Sequence, residues 1–279
     1  MSTPIGIDLG AGNRALGVLA FRGPDAAKFL QGQLSADVEN LISGASVLAG
    51  LHNPQGRAIA LLTLARLSPE DIFAVLPAEL IAGVGARLRK FVFRAKVTIE
   101  ESSLRVIGAA AGTDPHGAYA FRWADRQLLL APVGRDLPLT ADDAAWQLAD
   151  VRAGLPEVYA ATAESFVAQM LNLDLLGAIA FDKGCYTGQE VIARAHYRGR
   201  VKRRMQRWMN PNAPLAPGDA ARSVDGRALT VVRVAACEGG QEILAVGNFA
   251  AGAADEGAAP DESAPRVTGP LPLPYSLPD

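Results

Sequence analysis

The chain has 279 residues, 49% of them hydrophobic and 20% charged, with a net charge of −2. That supports a sizeable core in about two or three domains. It excludes a surface that is basic throughout, as in proteins that coat nucleic acid or anionic membrane, so any cationic site has to be local. Two cysteines, Cys185 and Cys237, exclude a disulfide scaffold and suit a reducing compartment. No basic leader with an apolar run behind it is visible. No apolar run reaches the ~20 residues of a membrane helix. A soluble, cytoplasmic protein without a membrane partner is expected.

Residues 1–14 are polar and Gly-rich and read as a loose arm. Residues 15–21 read as a strand, and Gly23-Pro24-Asp25 turns the chain into a helix over 25–33. Strands are expected at 46–52 and 57–67, joined by Asn53-Pro54-Gln55-Gly56. There Pro presets one turn dihedral and Gly accepts positive φ. A strand at 72–76 and a helix over 77–91 follow, the helix with Pro at its start and Arg87, Arg89 and Lys90 near its end. Four more strands are expected at 93–100, 104–110, 118–123 and 127–133. Thr140-Ala141-Asp142-Asp143 has helix-capping chemistry for a helix over 141–153, which Gly154 and Pro156 end. A short helix is expected at 164–171 and another at 189–197. From Met205 the pattern changes to short strands at 205–209, 229–236 and 242–249, separated by Pro- and Gly-rich turns, as in a small β-barrel or sandwich. Residues 250–265 have a loop-like or disordered composition.

The densest chemistry lies in Asp182-Lys183-Gly184-Cys185-Tyr186-Thr187-Gly188-Gln189-Glu190 and the residues that follow. From 183 to 204 there are seven cations, Lys183, Arg194, Arg198, Arg200, Lys202, Arg203 and Arg204, against the single acid Glu190. Such a lopsided run implies an anionic partner, phosphates or a polycarboxylate. Cys185 is the candidate reactive thiol: thiolates are favoured beside cations and at helix N-termini, and the glycines around it allow close approach. Cys237 sits at the edge of an apolar run and reads as structural. No Gly-rich dinucleotide or phosphate loop is present. Three histidines with no paired-cysteine spacing make a zinc site improbable. Spacing alone does not bring Cys185 and His196 together.

Lys183-Gly184-Cys185-Tyr186-Thr187-Gly188-Gln189-Glu190 resembles, at every motif position, the K-G-C-Y-x-G-Q-E motif of the YgfZ-type folate-binding proteins. These are relatives of the glycine-cleavage aminomethyltransferase, the T protein. Phe29–Val38 resembles the family's F-x-Q-G-Q-x-[ST]-x-D-V. The 53–57 turn, Trp146 with Ala153-Gly154-Leu155-Pro156, the 166–174 segment (with Ala168 in place of proline) and Leu273-Pro274-Tyr275-Ser276-Leu277 also fit.

The resemblance implies an α+β aminomethyltransferase (T-protein)-like fold. Residues 1–204 would form two interlocked α+β subdomains with antiparallel sheets, the second roughly 46–110. Residues 205–279 would form a C-terminal β-barrel. It further implies binding of tetrahydrofolate or a folate derivative, and a role in assembling or maintaining iron–sulfur clusters, hence in iron–sulfur-dependent tRNA modification. Partners would be folate, iron–sulfur enzymes or cluster carriers, and tRNA indirectly. The expected site comprises Cys185 as a redox-active or sulfur-handling thiol tuned by Lys183. Trp146, Lys183, Tyr186, Gln189 and Arg194 would contact folate, an indole stacking on the pterin and cations pairing with its carboxylates. Gly184, Gly188, Gln189 and Glu190 would order the loop. Two departures argue against aminomethyltransferase chemistry. Ala60 stands where the T protein has its reactive aspartate, and Arg152 stands where it has a pterin-binding glutamate. A folate-dependent one-carbon transferase and a tRNA-binding module acting through the basic run remain the alternatives.

Overall fold

The computed structural model describes residues 5–12, 14–199, 201–248 and 263–278. In chain order it has β1 (Gly6–Asp8), β2 (Leu16–Arg22), α1 (Ala26–Gln31), β3 (Ser46–His52), β4 (Ala58–Arg66), β5 (Asp71–Pro77) and α2 (Ala78–Arg89). Next come β6 (Thr98–Ser102), β7 (Arg105–Ala110), β8 (Tyr119–Trp123), β9 (Arg126–Ala131), β10 (Leu139–Thr140), α3 (Ala144–Arg152) and α4 (Gln189–Arg198). The last strands are β11 (Arg203–Asn210), β12 (Ala220–Ser223), β13 (Ala228–Cys237), β14 (Gly240–Asn248) and β15 (Arg266–Leu271).

The strands make two five-stranded sheets, ordered β3-β4-β5-β2-β6 and β10-β1-β7-β9-β8, and a closed barrel, β11-β14-β13-β12-β15. The first sheet is antiparallel throughout. Its strands are apolar on both faces, and the two-residue period separates the faces. Leu19 and Phe21 of β2 pack with Leu62 and Leu64 against Phe29 and Leu30 of α1 and Ile81, Val84 and Leu88 of α2. Val18 and Ala20 turn the other way with Phe73 and Val75 and meet Val106, Phe121, Leu128 and Leu130 of the second sheet. The α+β expectation with antiparallel sheets and a terminal barrel agrees with this architecture. The 46–110 stretch supplies strands to both sheets, since β7 belongs to the second.

Trp208, Val231, Ile243, Ala245 and Val267 pack together inside the barrel. Val232, Leu244 and Val246 face outward, into a shared cluster with Ala58, Leu61, Val151, Leu171, Tyr186 and Ile192. A bulge between Val231 and Arg233 shifts the alternation of β13. Arg233, 5% exposed, then faces α3 and donates to Asp150 (2.5 Å) and Gln147 (2.9 Å). Asp150 also accepts from Arg126 of β9 (2.6 Å) and the Trp123 indole of β8 (2.8 Å). One buried carboxylate thus joins α3, the second sheet and the barrel.

Three expectations need correction. The arm over 1–14 contains β1, which pairs with β10 and β7 and is held by an Asp8–Arg105 ion pair of 2.9 Å. The strand expected at 93–100 begins only at Thr98. The residues before it form a turn, clamped where Asp25 accepts the Lys96 amide (2.7 Å). The helix expected at 164–171 is a single 3₁₀ turn, Ala168–Leu171, because Glu164 takes φ +61° and Val167 bridges to Arg57. Of the segment 250–265 read as loop or disorder, residues 250–262 lie outside the described residues.

Trp146 of α3 lies flat enough on β7 that a Cβ at Gly108 would fall 2.6 Å from its ring. Gly108→Ala is expected to lower unfolding free energy by about 1–3 kcal/mol through overpacking. Denaturant titration checks this, and an unchanged midpoint would rule out the close contact.

Candidate functional site

The motif loop is tied down at its start by one amine. Lys183 Nζ donates to the carbonyls of Leu34 (2.7 Å) and Ala36 (2.6 Å), just past α1. Between those carbonyls, Ser35 Oγ donates to Ala178 O (2.6 Å) and accepts from Gly50 N (2.8 Å). Ala180 N adds a bond to Ser35 O (2.9 Å). Gln31 shapes the same segment, taking the Val38 amide (2.7 Å) and donating to Asp37 (3.1 Å). The F-x-Q-G-Q and K-G-C-Y stretches, distant in sequence, are therefore one structural unit. Burial pushes the Lys183 pKa down to about 8, opposed by Asp37 and Glu39.

Gly188 ties down the loop's other end. It precedes α4 at φ +84°, a left-handed conformation. A Cβ there would meet Asn53 O at 2.6 Å, Gly56 Cα at 3.1 Å and His52 Cβ at 3.2 Å. Gly56, at φ +72°, in turn leaves room for Val191 and Ile192 of α4. Gln169 holds the helix through Ile192 O (2.7 Å). The 53–56 turn and the start of α4 thus fit through two glycines back to back.

Beneath the loop lie two buried polar groups. His52 is fully buried on β3, neither ring nitrogen has a hydrogen-bond partner among the described residues, and burial lowers its pKa to about 4. The buried Tyr186 hydroxyl likewise has none, and burial raises its pKa to about 12. Their ring centroids are 6.5 Å apart. Sequence reading counted His52 without assigning it a role; its signal was a histidine closing an otherwise apolar strand. Ser35 and Asn53 entered the sequence reading only as motif and turn residues, not as site residues; Asn53 Oδ1 takes the amides of Gln55 and Arg57 (both 3.0 Å).

Above the loop, Gly184 and Cys185 are exposed, as are Glu190 and Arg194, while Gln189 is half-exposed. Gln189 N donates to Tyr186 O (3.2 Å), closing the turn into α4. His196 does not bond Cys185; its ring stacks on Phe181 (3.9 Å) and meets Tyr197 edge-on (4.8 Å). Two members of the expected cationic patch act differently. Lys183 is occupied by backbone carbonyls. Arg204 is 3% exposed and makes a two-pronged pair with Asp174 (3.0 and 2.8 Å), because β11 turns it inward toward Asn172. Arg200 lies outside the described residues. The outward cations include Arg194 and Arg198, one turn apart on α4.

Trp146 does not join this group. It is 4% exposed, sits in the cluster between the two sheets, and carries the Arg126 guanidinium 4.1 Å over its ring. The indole, expected to contact folate, is a core residue with almost no exposed surface. Cys237 lies in the barrel, its sulfur 3.8 Å from that of Met209.

No protein-family profile matches the chain. A protein of Haemophilus influenzae described as uncharacterized is 34% identical over 194 residues, 67% of this chain and 69% of that protein. The tRNA-modifying protein YgfZ of Edwardsiella ictaluri is 32% identical over 230 residues, covering 70% of this chain and 69% of its own. The chain belongs to the YgfZ family. The YgfZ of Serratia proteamaculans is 30% identical over 245 residues, covering 75% and 72%. The crystal structure of the glycine cleavage system aminomethyltransferase T from Bartonella henselae superimposes with a TM-score of 0.66 at 15% identity, over 87% of this chain and 78% of that one. This YgfZ relative therefore has the T-protein fold. In it, the family motif is the surface-presenting half of a clamp whose other half is the 31–38 segment.

Two outcomes follow for this YgfZ family member. Gly188→Ala places a Cβ against Asn53 O in a left-handed conformation and is expected to cost about 2 kcal/mol or more. Denaturant unfolding measures it, and a loss below experimental error would contradict the packing described. His52 has a folded pKa below its unfolded value, so between about pH 6.5 and about pH 4 the unfolded chain binds the extra proton. Stability is lost as pH falls through that window, by about 3 kcal/mol in full. His52→Leu, which removes the titration, is expected to flatten that slope; an identical slope in both proteins would refute it.

Proposed function

We propose that this protein binds tetrahydrofolate or a derivative and acts as an accessory factor in iron–sulfur cluster assembly or repair, and so supports iron–sulfur-dependent tRNA modification. One observation carries the reading: an exposed Cys185 on a loop fixed at both ends, by Lys183 and by Gly188, directly before a helix whose outer face bears Arg194 and Arg198. Two curated relatives are named tRNA-modifying proteins, and the T-protein fold supports folate as the ligand.

The donor set fits the acidic end of a folate. Arg194 and Arg198 lie one turn apart and exposed, spaced to take the glutamate carboxylates by charge-assisted bonds. Gln189 and Tyr186 border the same turn. Stacking of the pterin on Trp146 would require Arg126 to lift from the ring, so the indole is left out of the proposed contacts. A bound folate supplies a carrier for a one-carbon unit. The chain's own residues hold it and present a thiol. Among the described residues no group of three or more His, Cys, Asp or Glu is arranged to hold a metal. In this reading Cys185 acts as a single, transient thiolate ligand to a cluster held by a partner, giving up its proton on binding and regaining it on release, with no change of oxidation state; Lys183 sets the loop's position.

Aminomethyl transfer is disfavoured: Ala60, at the T protein's aspartate position, is fully buried in β4, and Arg152 pairs with Glu242 at 2.7 Å.

Isothermal titration with tetrahydrofolate is expected to show binding that Arg194→Ala with Arg198→Ala weakens by about tenfold. No heat from wild type at high protein concentration would end the folate part. Separately, Cys185→Ala is expected to fail where wild type restores iron–sulfur enzyme activity in cells lacking the protein. Full restoration would remove the thiol from the mechanism.

A further inference from the structure

Between the end of α2 and the start of β6 lies a surface that the folate reading does not use. Arg87, Arg89, Lys90, Arg94 and Lys96 fall within ten residues, and no Asp or Glu occurs from 80 to 99. Among these cations Phe91 is 42% exposed and Phe93 84% exposed. Single exposed apolar side chains are ordinary on a soluble chain; what sets these two apart is that both are aromatic and both lie among the cations. Val92, between the two rings, and Ala95, beyond them, turn inward against the core under the first sheet. The apolar surface outside is thus two separate rings set among charges, not a continuous patch.

The turn is built rather than loose. Phe91 N donates to Leu88 O (3.0 Å) and Val92 N to Arg89 O (3.2 Å), extending the end of α2. Arg89 Nε donates to Ile99 O (3.0 Å). The Asp25 carboxylate takes the Lys96 amide (2.7 Å), and Asp25 N donates to Lys96 O (3.3 Å). Gly23 lies so close under Lys96, at φ +127°, that a Cβ would fall 2.2 Å from its carbonyl oxygen. Among the described residues, the side chains of Arg87, Lys90, Arg94 and Lys96 enter no ion pair.

We infer that this turn, residues 87–96, binds single-stranded RNA, with bases stacked on Phe93 and Phe91 and phosphates held by the five cations around them. Aromatic faces interleaved with cations match the alternation of base and phosphate along an unpaired strand. An acidic protein would need a contiguous apolar centre, and a lipid surface a continuous apolar face to insert; two isolated rings provide neither. Duplex RNA satisfies the cations but leaves the rings unused. RNA binding here does not depend on what occupies the folate site.

Fluorescence anisotropy with a short labelled RNA of mixed sequence, alone and annealed to its complement, tests this on the full chain. The single strand is expected to bind more tightly than the duplex, with affinity falling steeply as potassium chloride rises. Phe93→Ala is expected to weaken single-strand binding by about fivefold or more while leaving duplex binding unchanged. Lys90→Glu with Arg94→Glu is expected to weaken both and to reduce the salt slope. These side chains are exposed, so the variants should melt with wild type, and thermal melts establish that. Three results would overturn the inference. The first is single-strand binding unaffected by Phe93→Ala. The second is binding that survives the Lys90/Arg94 reversal and disappears with Arg194→Glu and Arg198→Glu, which moves the RNA to α4. The third is no RNA binding at all while phosphatidylserine-containing vesicles sediment the protein.

Discussion

A single ammonium group organises the candidate site. Lys183 reaches back to two carbonyls that α1's continuation leaves pointing outward, and the serine between them fastens both the 178–180 segment and β3. Remove that amine and two carbonyls lose their donors, a loss of about 1–3 kcal/mol each where buried. The loop bearing Cys185 would lose its upstream anchor as well. Everything proposed for the thiol rests on this: a cysteine on a slack loop reacts with whatever arrives, whereas one on a clamped loop presents a fixed geometry. The half-buried amine is itself strained electrostatically, since desolvation favours its neutral form. The arrangement persists because the carbonyls and nearby Asp37 and Glu39 compensate.

Much of the fold was legible because its signals are local. Turn chemistry at Asn53-Pro54-Gln55-Gly56 marks the β3–β4 hairpin, proline and terminal arginines bound α2, and short strands mark the barrel. The misread segments are those settled by distant partners. β1 is polar and has little intrinsic preference for a strand; it exists because β7 and β10 flank it. The turn before β6 alternates like a strand but is diverted by Asp25, some seventy residues earlier. In the site, the motif was plain from its glycines and cysteine, and Gly188 takes a left-handed conformation against the 53–56 turn. Composition could not separate outward cations from inward ones: Arg204 and Arg194 look alike in sequence, yet one is sealed against Asp174 and the other faces solvent. Trp146 drew attention as a ring able to stack, but its neighbours Gly108 and Arg126 are supplied by the second sheet.

Buried charge does a different job elsewhere. Asp150, Arg126 and Arg233 form a web with the Trp123 indole between the second sheet and the barrel. Glu157, also buried, is pushed by desolvation to a pKa of about 7 against the pull of Arg233. Such groups add little net stability compared with well-packed apolar residues, yet breaking one partner is costly. Here they tie the barrel to α3 and to the second sheet through the one carboxylate of Asp150. Tyr275 repeats the principle at a smaller scale, donating to Gly154 O (2.9 Å) and accepting from Asn172 (3.3 Å).

The span of these bonds has a kinetic meaning. Lys183 and Leu34 are 149 positions apart, Arg233 and Asp150 are 83 apart, and Tyr275 and Gly154 are 121 apart. Chains dominated by such remote pairings reach the native state slowly, because loop closure must precede the contacts that reward it. The first sheet closes once Ser102 is in place, but the carbonyls of Leu34 and Ala36 wait for Lys183, made far later. During synthesis from the N-terminus the scaffold is therefore formed while the 34–36 segment still lacks its amine donor, and the cysteine loop meets partners that are already in place.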